Sequence, residues 1–120
     1  MYLHWSKCAG DEWCSLEKTD LTAIPDHGVY VIWKPGGFLL RPSTVVRVGS
    51  GNIALQLAAH RLDERVMRHG PGLLVTWAKV EDPSVAAGAA AYLAQLLRPL
   101  EGEWFLADVA SVSVNLPPSA

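Results

Sequence analysis

The rhythm of apolar and polar positions along the chain marks off its elements. Residues 1–27 carry Trp5, Trp13, Leu16 and Leu21 at intervals that suit neither a helix nor a strand, and Pro25-Asp26-His27-Gly28 ends the stretch as a turn. This predicts an N-terminal cover segment with one helical turn. Val29-Tyr30-Val31-Ile32-Trp33 is β-branched and aromatic, Lys34-Pro35-Gly36-Gly37 supplies turn residues, and Thr44-Val45-Val46-Arg47-Val48-Gly49 resumes the pattern. Two neighbouring strands in an antiparallel hairpin follow from this. Leu73 to Val80 reads as a third, well-buried strand, and Ala110 to Leu116 alternates apolar and polar residues as a short C-terminal edge strand would.

Two helices separate these strands. Asn52 is placed as an N-cap and Gly70-Pro71 as a stop, which predicts one helix over 53–69. Leu55, Ala58, Ala59, Leu62 and Val66 recur on one face at about 100° per residue and form its expected core stripe. Gln56, His60 and Asp63 fall on one flank, and Arg61, Arg65 and Arg68 on the other. Asp82 as N-cap with Pro83 at the first helical position opens a second helix that runs to Arg98 before Pro99. Its run from Val85 to Ala91 is rich in small residues, as a closely packed helix face requires. The order β-β-α-β-α, with the added edge strand, predicts an α+β fold: one small sheet with helices against it.

Length and composition bound this picture. The chain has 120 residues, room for a single domain, and half are hydrophobic against 18% charged, so it has the apolar surface to order itself. The net charge of −2 argues against a whole-molecule grip on a polyanion, but its distribution is uneven. Residues 34–80 hold seven basic side chains against Asp63 and Glu64, a local +5 between acidic flanks. Met1 to Lys7 is followed by no apolar signal region and no stretch is long enough to span a membrane, which predicts a soluble, cytoplasmic protein. The five-residue gap between Cys8 and Cys14 is wider than common zinc spacings even with His4 and His27 near, so two reduced thiols are expected ahead of a metal site.

Several short motifs then fall into a known order. Gly28-Val29-Tyr30 opens one strand, Arg47-Val48-Gly49 ends the next, His60 lies in a capped helix, and after another strand a helix ends in Arg98-Pro99. Together these resemble the GIY-YIG nuclease domain over residues 28–102, leaving 1–27 as the cover segment and 103–120 as a tail. The resemblance implies a three-stranded antiparallel sheet and, in active members, metal-dependent cleavage of a DNA phosphodiester. Such chemistry activates a water, meets the developing phosphate charge with a cation, and stabilises the leaving oxygen through a metal held by a carboxylate.

Carried over position by position, the family's first-motif tyrosine is Tyr30, which matches. Its second-motif tyrosine falls on Arg47, its helix arginine on Gln56, and its metal-binding glutamate on Ala90. Ala90 cannot ligate a metal, and Gln56 offers no permanent charge. Arg47 is placed to supply the missing cation, and Asp63, Glu81, Asp82, Glu101 and Glu103 are carboxylates in reach. Tyr30 reads equally as a core tyrosine with a satisfied hydroxyl or as a site residue, and His60 as polar surface or site lining. Gly49 and Gly51 bracket the turn into the helix and permit positive φ.

The resemblance therefore implies a nuclease-like domain with a degenerate site, binding DNA or another nucleic acid without efficient cleavage. Tyr30, Arg47, Gln56 and His60 would line that site. Arg47, the helix start at Asn52, and Arg61, Arg65 and Arg68 would contact the nucleic acid. A second reading is an active endonuclease with a rebuilt site, in which Glu101 or Glu103 holds Mg²⁺. A third is a protein-interaction module using Trp5, Trp13 or Trp104. No cofactor follows from the first or third reading, no membrane partner from any of them, and oligomeric state is left open.

Overall fold

A computed structural model describes residues 1–36, 44–101 and 110–117. Strand β1 (Cys14–Ser15) is short, followed by β2 (Gly28–Lys34), β3 (Thr44–Gly51), helix α1 (Ile53–Arg61), a one-turn helix α2 (Glu64–Met67), β4 (Leu74–Lys79) and α3 (Pro83–Leu97). The strands form one antiparallel sheet in the order β1-β4-β2-β3. It has four strands where three were expected, because Cys14 and Ser15 pair with Val75 and Leu74. Two residues are too few to show a period, so nothing in the sequence marked them as a strand.

Strand β2 is central, and every residue from Gly28 to Trp33 is buried. Its alternation divides the core into two layers. Val29, Val31 and Trp33 join Val48 and Ala78 under α3, while Tyr30 and Ile32 join Val46, Val75, Trp77, Ile53 and Leu57 on the α1 side. Helix α3 is opened by Asp82, which accepts from the Ser84 amide, with Pro83 at its first position as the sequence predicted. Ala86, Ala89, Ala90, Leu93 and Ala94 form its buried face, and the small side chains let the helix lie close to the sheet.

The C-terminal stretch 110–117 is not the expected edge strand. Val112 donates its amide to the Gly88 carbonyl of α3, and Asn115 is bonded to both backbone groups of Leu3 and to the Trp5 indole. Its alternation arises from Val112 and Val114 packing on α3 and the first core layer while Ser111 and Ser113 are exposed. Gly88 permits that crossing, since a Cβ there would sit 2.6 Å from the Ala110 carbonyl oxygen. Gly88→Ala is expected to lift the strap and cost roughly 1–2 kcal/mol, read by thermal unfolding.

The helix expected over 53–69 is two helices. Asp63 adopts an extended backbone (φ −90, ψ 114) and accepts from the Arg65 amide as the N-cap of α2, so the first helix ends at Arg61. An aspartate that can cap competes with helix continuation. Four of the five residues of the expected stripe are also on the wrong face, while Val66 is buried, in α2. Leu55 and Leu62 are 68% and 86% exposed and Ala58 and Ala59 lie in the open, while Ile53, Leu57 and His60 face the core. Two apolar stripes compete on this helix, and the one with fewer members but larger side chains docks. Ile53→Val is accordingly expected to cost about 1 kcal/mol, whereas Leu62→Ser should stay within about 0.5 kcal/mol of the parent in urea unfolding.

The thiol expectation is corrected as well. Cys8 and Cys14 form a disulfide, which joins the 3-10 turn at Ala9–Asp11 to the start of β1. Trp5 and Trp13 are half-buried against the α3-side core, with Trp13 edge-on to Trp33. They are not exposed docking residues, and Trp104 lies outside the described residues. Among those residues, no helix is long and apolar enough to cross a membrane.

Candidate functional site

Alternation along β2 turns Tyr30 toward α1, where its ring is completely buried. Gln56 and His60 stand one helical turn apart on α1 and both reach the phenol. The Tyr30 hydroxyl donates to Gln56 Oε1 at 2.7 Å and lies 2.6 Å from His60 Nε2. Gln56 Nε2 donates to the Ser50 carbonyl at 2.5 Å, which fixes the amide with its oxygen on the tyrosine. The single phenolic proton is thereby committed to Gln56, so His60 must carry its proton on Nε2 and donate to the Tyr30 oxygen. His60 is thus a buried member of the cluster, which removes the polar-surface alternative.

The two glycines of the helix entry have different tasks. Gly49 stands directly opposite Tyr30 in the β2–β3 register, and a Cβ there would overlap the phenol hydroxyl. It provides room, with no positive φ. Gly51 does have a positive φ of 116°, and a Cβ there would press on Gln56 Nε2 at 2.7 Å.

Arg47 lies on the same face by regular alternation, two residues before Gly49 and opposite Ile32, and the ladder becomes irregular just beyond it. Ile32 pairs with Arg47 but Trp33 pairs with Val45, so Val46 is an extra residue bulging out of the ladder. In a regular strand Val45 and Arg47 would share a face. Here Val45 packs toward the α3 layer, while Arg47 sits opposite Ile32 on the Tyr30 side. Its Nε is buried and has no hydrogen-bond partner among the described residues. A buried guanidinium nitrogen without an acceptor is costly.

Burial and this cation set the protonation states. Burial pushes the Tyr30 phenol up to about 12, with Arg47 opposing part of the rise. Burial first, then the Arg47 charge, pushes His60 down to about 4, with Asp63 acting weakly against them. Both groups are neutral at neutral pH, and Arg47 carries the cluster's one fixed charge.

The remaining expected residues are placed differently. Ala90 is fully buried in the α3-side layer, across the sheet from Tyr30. Asn52 uses its side chain to cap α1 through the Leu55 amide. Arg61 turns inward to donate to the carbonyls of Leu16 and Thr19, which removes it from the expected basic ridge. Arg65 pairs with Asp63 at 3.5 Å and Arg68 with Glu101 at 2.9 Å, both arginines staying largely exposed.

The described carboxylates considered for Mg²⁺ are engaged by other groups. Asp63 and Asp82 cap helices, Glu81 pairs with Lys79, and Glu101 accepts from both Arg68 and His69. Among the described residues no three side chains of metal-ligating type come together, and Glu103 lies outside them. The Glu101–His69 contact, at 2.8 Å, went unnoticed in the sequence because 32 positions separate its members. A shallow pocket of about 400 Å³ lined by Ile24, Pro25, Asp26, His27, Lys79 and Glu81 lies near the start of β2 and includes none of the clustered residues. No family model, no curated protein and no solved structure matches this chain.

Proposed function

We propose that this chain is a GIY-YIG-like nuclease domain with a degenerate site, which binds nucleic acid without efficiently cleaving it. The observation that supports this reading best is Arg47: a guanidinium on the Tyr30 face of the sheet, opposite Ile32, with a buried Nε that has no hydrogen-bond partner among the described residues. Arg47 as a whole is partly exposed, so its charge is within reach of a backbone phosphate, and the start of α1 follows directly on β3. Cleavage is disfavoured by the chemistry of the donors. A neutral glutamine stands beside the tyrosine, Ala90 faces the other layer, and the neighbouring carboxylates are engaged by caps and cations.

The test is binding to duplex, branched and single-stranded DNA and to RNA at low and moderate salt, with and without Mg²⁺. Retained, uncleaved substrate and a weakening of about tenfold in Arg47→Ala are expected, from losing one charge-assisted phosphate contact. Cleavage that disappears on chelation would instead establish the active-endonuclease reading. Absence of binding at low salt, where phosphate contacts are strongest, removes both. A protein-interaction role then leads, carried by the exposed Leu55, Ala58, Ala59 and Leu62 face of α1 in place of Trp5 and Trp13.

A further inference from the structure

We infer that Arg68 and His69 form a second phosphate subsite on the Arg47 side of the sheet, which the Glu101 carboxylate occupies until a nucleic-acid phosphate displaces it. The two donors converge on a single atom. Arg68 Nη2 and His69 Nε2 lie 2.9 and 2.8 Å from the same Glu101 oxygen, Oε2. An ionised carboxylate only accepts, so His69 donates from Nε2 and needs no added proton to do so. Convergent N–H donors around one oxyanion oxygen suit a non-bridging phosphate oxygen equally well, and arginine is the side chain best matched to it.

Position ties this pair to the site already described. Leu100 and Glu101 donate their amides to the Val45 and Val46 carbonyls of β3, at 3.1 and 2.8 Å, and Arg47 is the next residue of that strand. Val66 of α2 packs in the same layer as Tyr30, which brings Arg68 and His69, just beyond α2, to that side of the sheet. Among the described residues β3 is the outermost strand. Arg47, Arg68 and His69 therefore lie along one margin of the sheet.

Glu101 can give way without disturbing this arrangement. Its backbone is held on β3 through the two amides, so only side-chain torsions need change. Arg68 is 63% exposed, and an ion pair with one partner so open to water is held weakly. His69 and Arg68 keep the Glu101 carboxyl below the usual carboxylate range, so at neutral pH it is a full negative charge set against an incoming phosphate. A phosphate oxygen takes over both donors, and the freed carboxylate turns to water.

The DNA arm of the test rests on the binding reading above. At about 0.1 M salt, where more distant charges are screened, Glu101→Gln is expected to tighten DNA binding about tenfold and to steepen its salt dependence by about one released counterion. Glu101→Ala should do the same and serves if Glu101→Gln does not fold. Glu64→Gln, which removes an equal charge from the exposed start of α2, should change binding by less than about twofold. The gain should be largely lost in an Arg68→Ala background. A gain that survives there undiminished, or that Glu64→Gln matches, is a general charge effect and overturns the proposal. Inorganic phosphate, titrated at constant ionic strength while the His69 imidazole is followed by NMR, tests the subsite without DNA. Half-saturation is expected at about tenfold lower phosphate in Glu101→Gln than in the parent. That result supports the subsite even if no DNA binds, in which case only the binding reading fails. DNA binding without a gain in Glu101→Gln, or a His69 signal indifferent to phosphate in every variant, overturns it.

Discussion

Between pH 6.5 and pH 4 the folded protein is expected to lose about 3 kcal/mol of stability through one side chain, His60. In the unfolded chain this imidazole takes up a proton below pH 6.5. In the fold, burial and the nearby Arg47 hold its pKa down to about 4. The unfolded state therefore binds the proton first, so the stability is fully present above pH 6.5 and is lost as pH falls toward 4. Protonation would also set a second cation beside Arg47. The carboxylates of Asp20, Asp63, Asp82 and Glu101 are all held below their ordinary values, and their stabilisation is lost at lower pH still. Urea unfolding across the window should show the slope in the parent and a flatter profile in His60→Gln, which keeps a donor for the Tyr30 oxygen but cannot titrate. Identical slopes would mean that His60 is not held neutral. The alkaline limb runs the other way: the Tyr30 contribution is present below pH 10 and lost as pH rises toward 12.

Reduction of the Cys8–Cys14 disulfide is expected to cost about 2 kcal/mol, the chain-entropy value for so short a loop. The bond matters beyond that entropy because Cys14 is buried and sits in β1, paired with Val75 at the sheet edge. Nearby, Arg61 of α1 donates to the Leu16 and Thr19 carbonyls, so loosening this segment also loosens the helix that carries Gln56 and His60. Cys8→Ser, at the exposed end of the bridge, should lower the melting temperature by about 10 °C. Parent protein treated with reductant should match it. No difference between oxidised and reduced protein would show that the N-terminal segment is held by its packing alone. A cytoplasmic thiol pool favours the open form, so DNA binding is worth measuring in both states.

How far the sequence disclosed the fold depended on whether local chemistry had a rival. At α3 it had none: Asp82 and Pro83 can only open a helix there, and the small residues from Ala86 to Ala94 can only face a close neighbour. At α1 there were two apolar stripes, and periodicity chose the more populated one, Leu55 to Leu62, which proved exposed. Ile53 and Leu57 won because they fill the space beside β2 in the arrangement that also brings Gln56 and His60 to Tyr30. The sequence pattern of β2 led directly to a buried strand. That of β3 concealed a bulge, because Thr44-Val45-Val46-Arg47-Val48 reads identically with or without one.

By itself, the sequence determined the α+β class, the apolar strand with Tyr30 in it, and the capped starts of α1 and α3. These follow from hydrophobic period, turn residues and capping chemistry, which act over a few positions. Only the tertiary structure decided that Asp63 splits a helix, that Arg61 bonds inward, that Cys8 and Cys14 are joined, and that Val46 bulges so that Val45 and Arg47 face opposite layers. Those outcomes depend on which carbonyl, thiol or strand lies opposite. Residues such as Glu101 and His69, 32 positions apart, acquire a shared role only when the chain returns to meet itself.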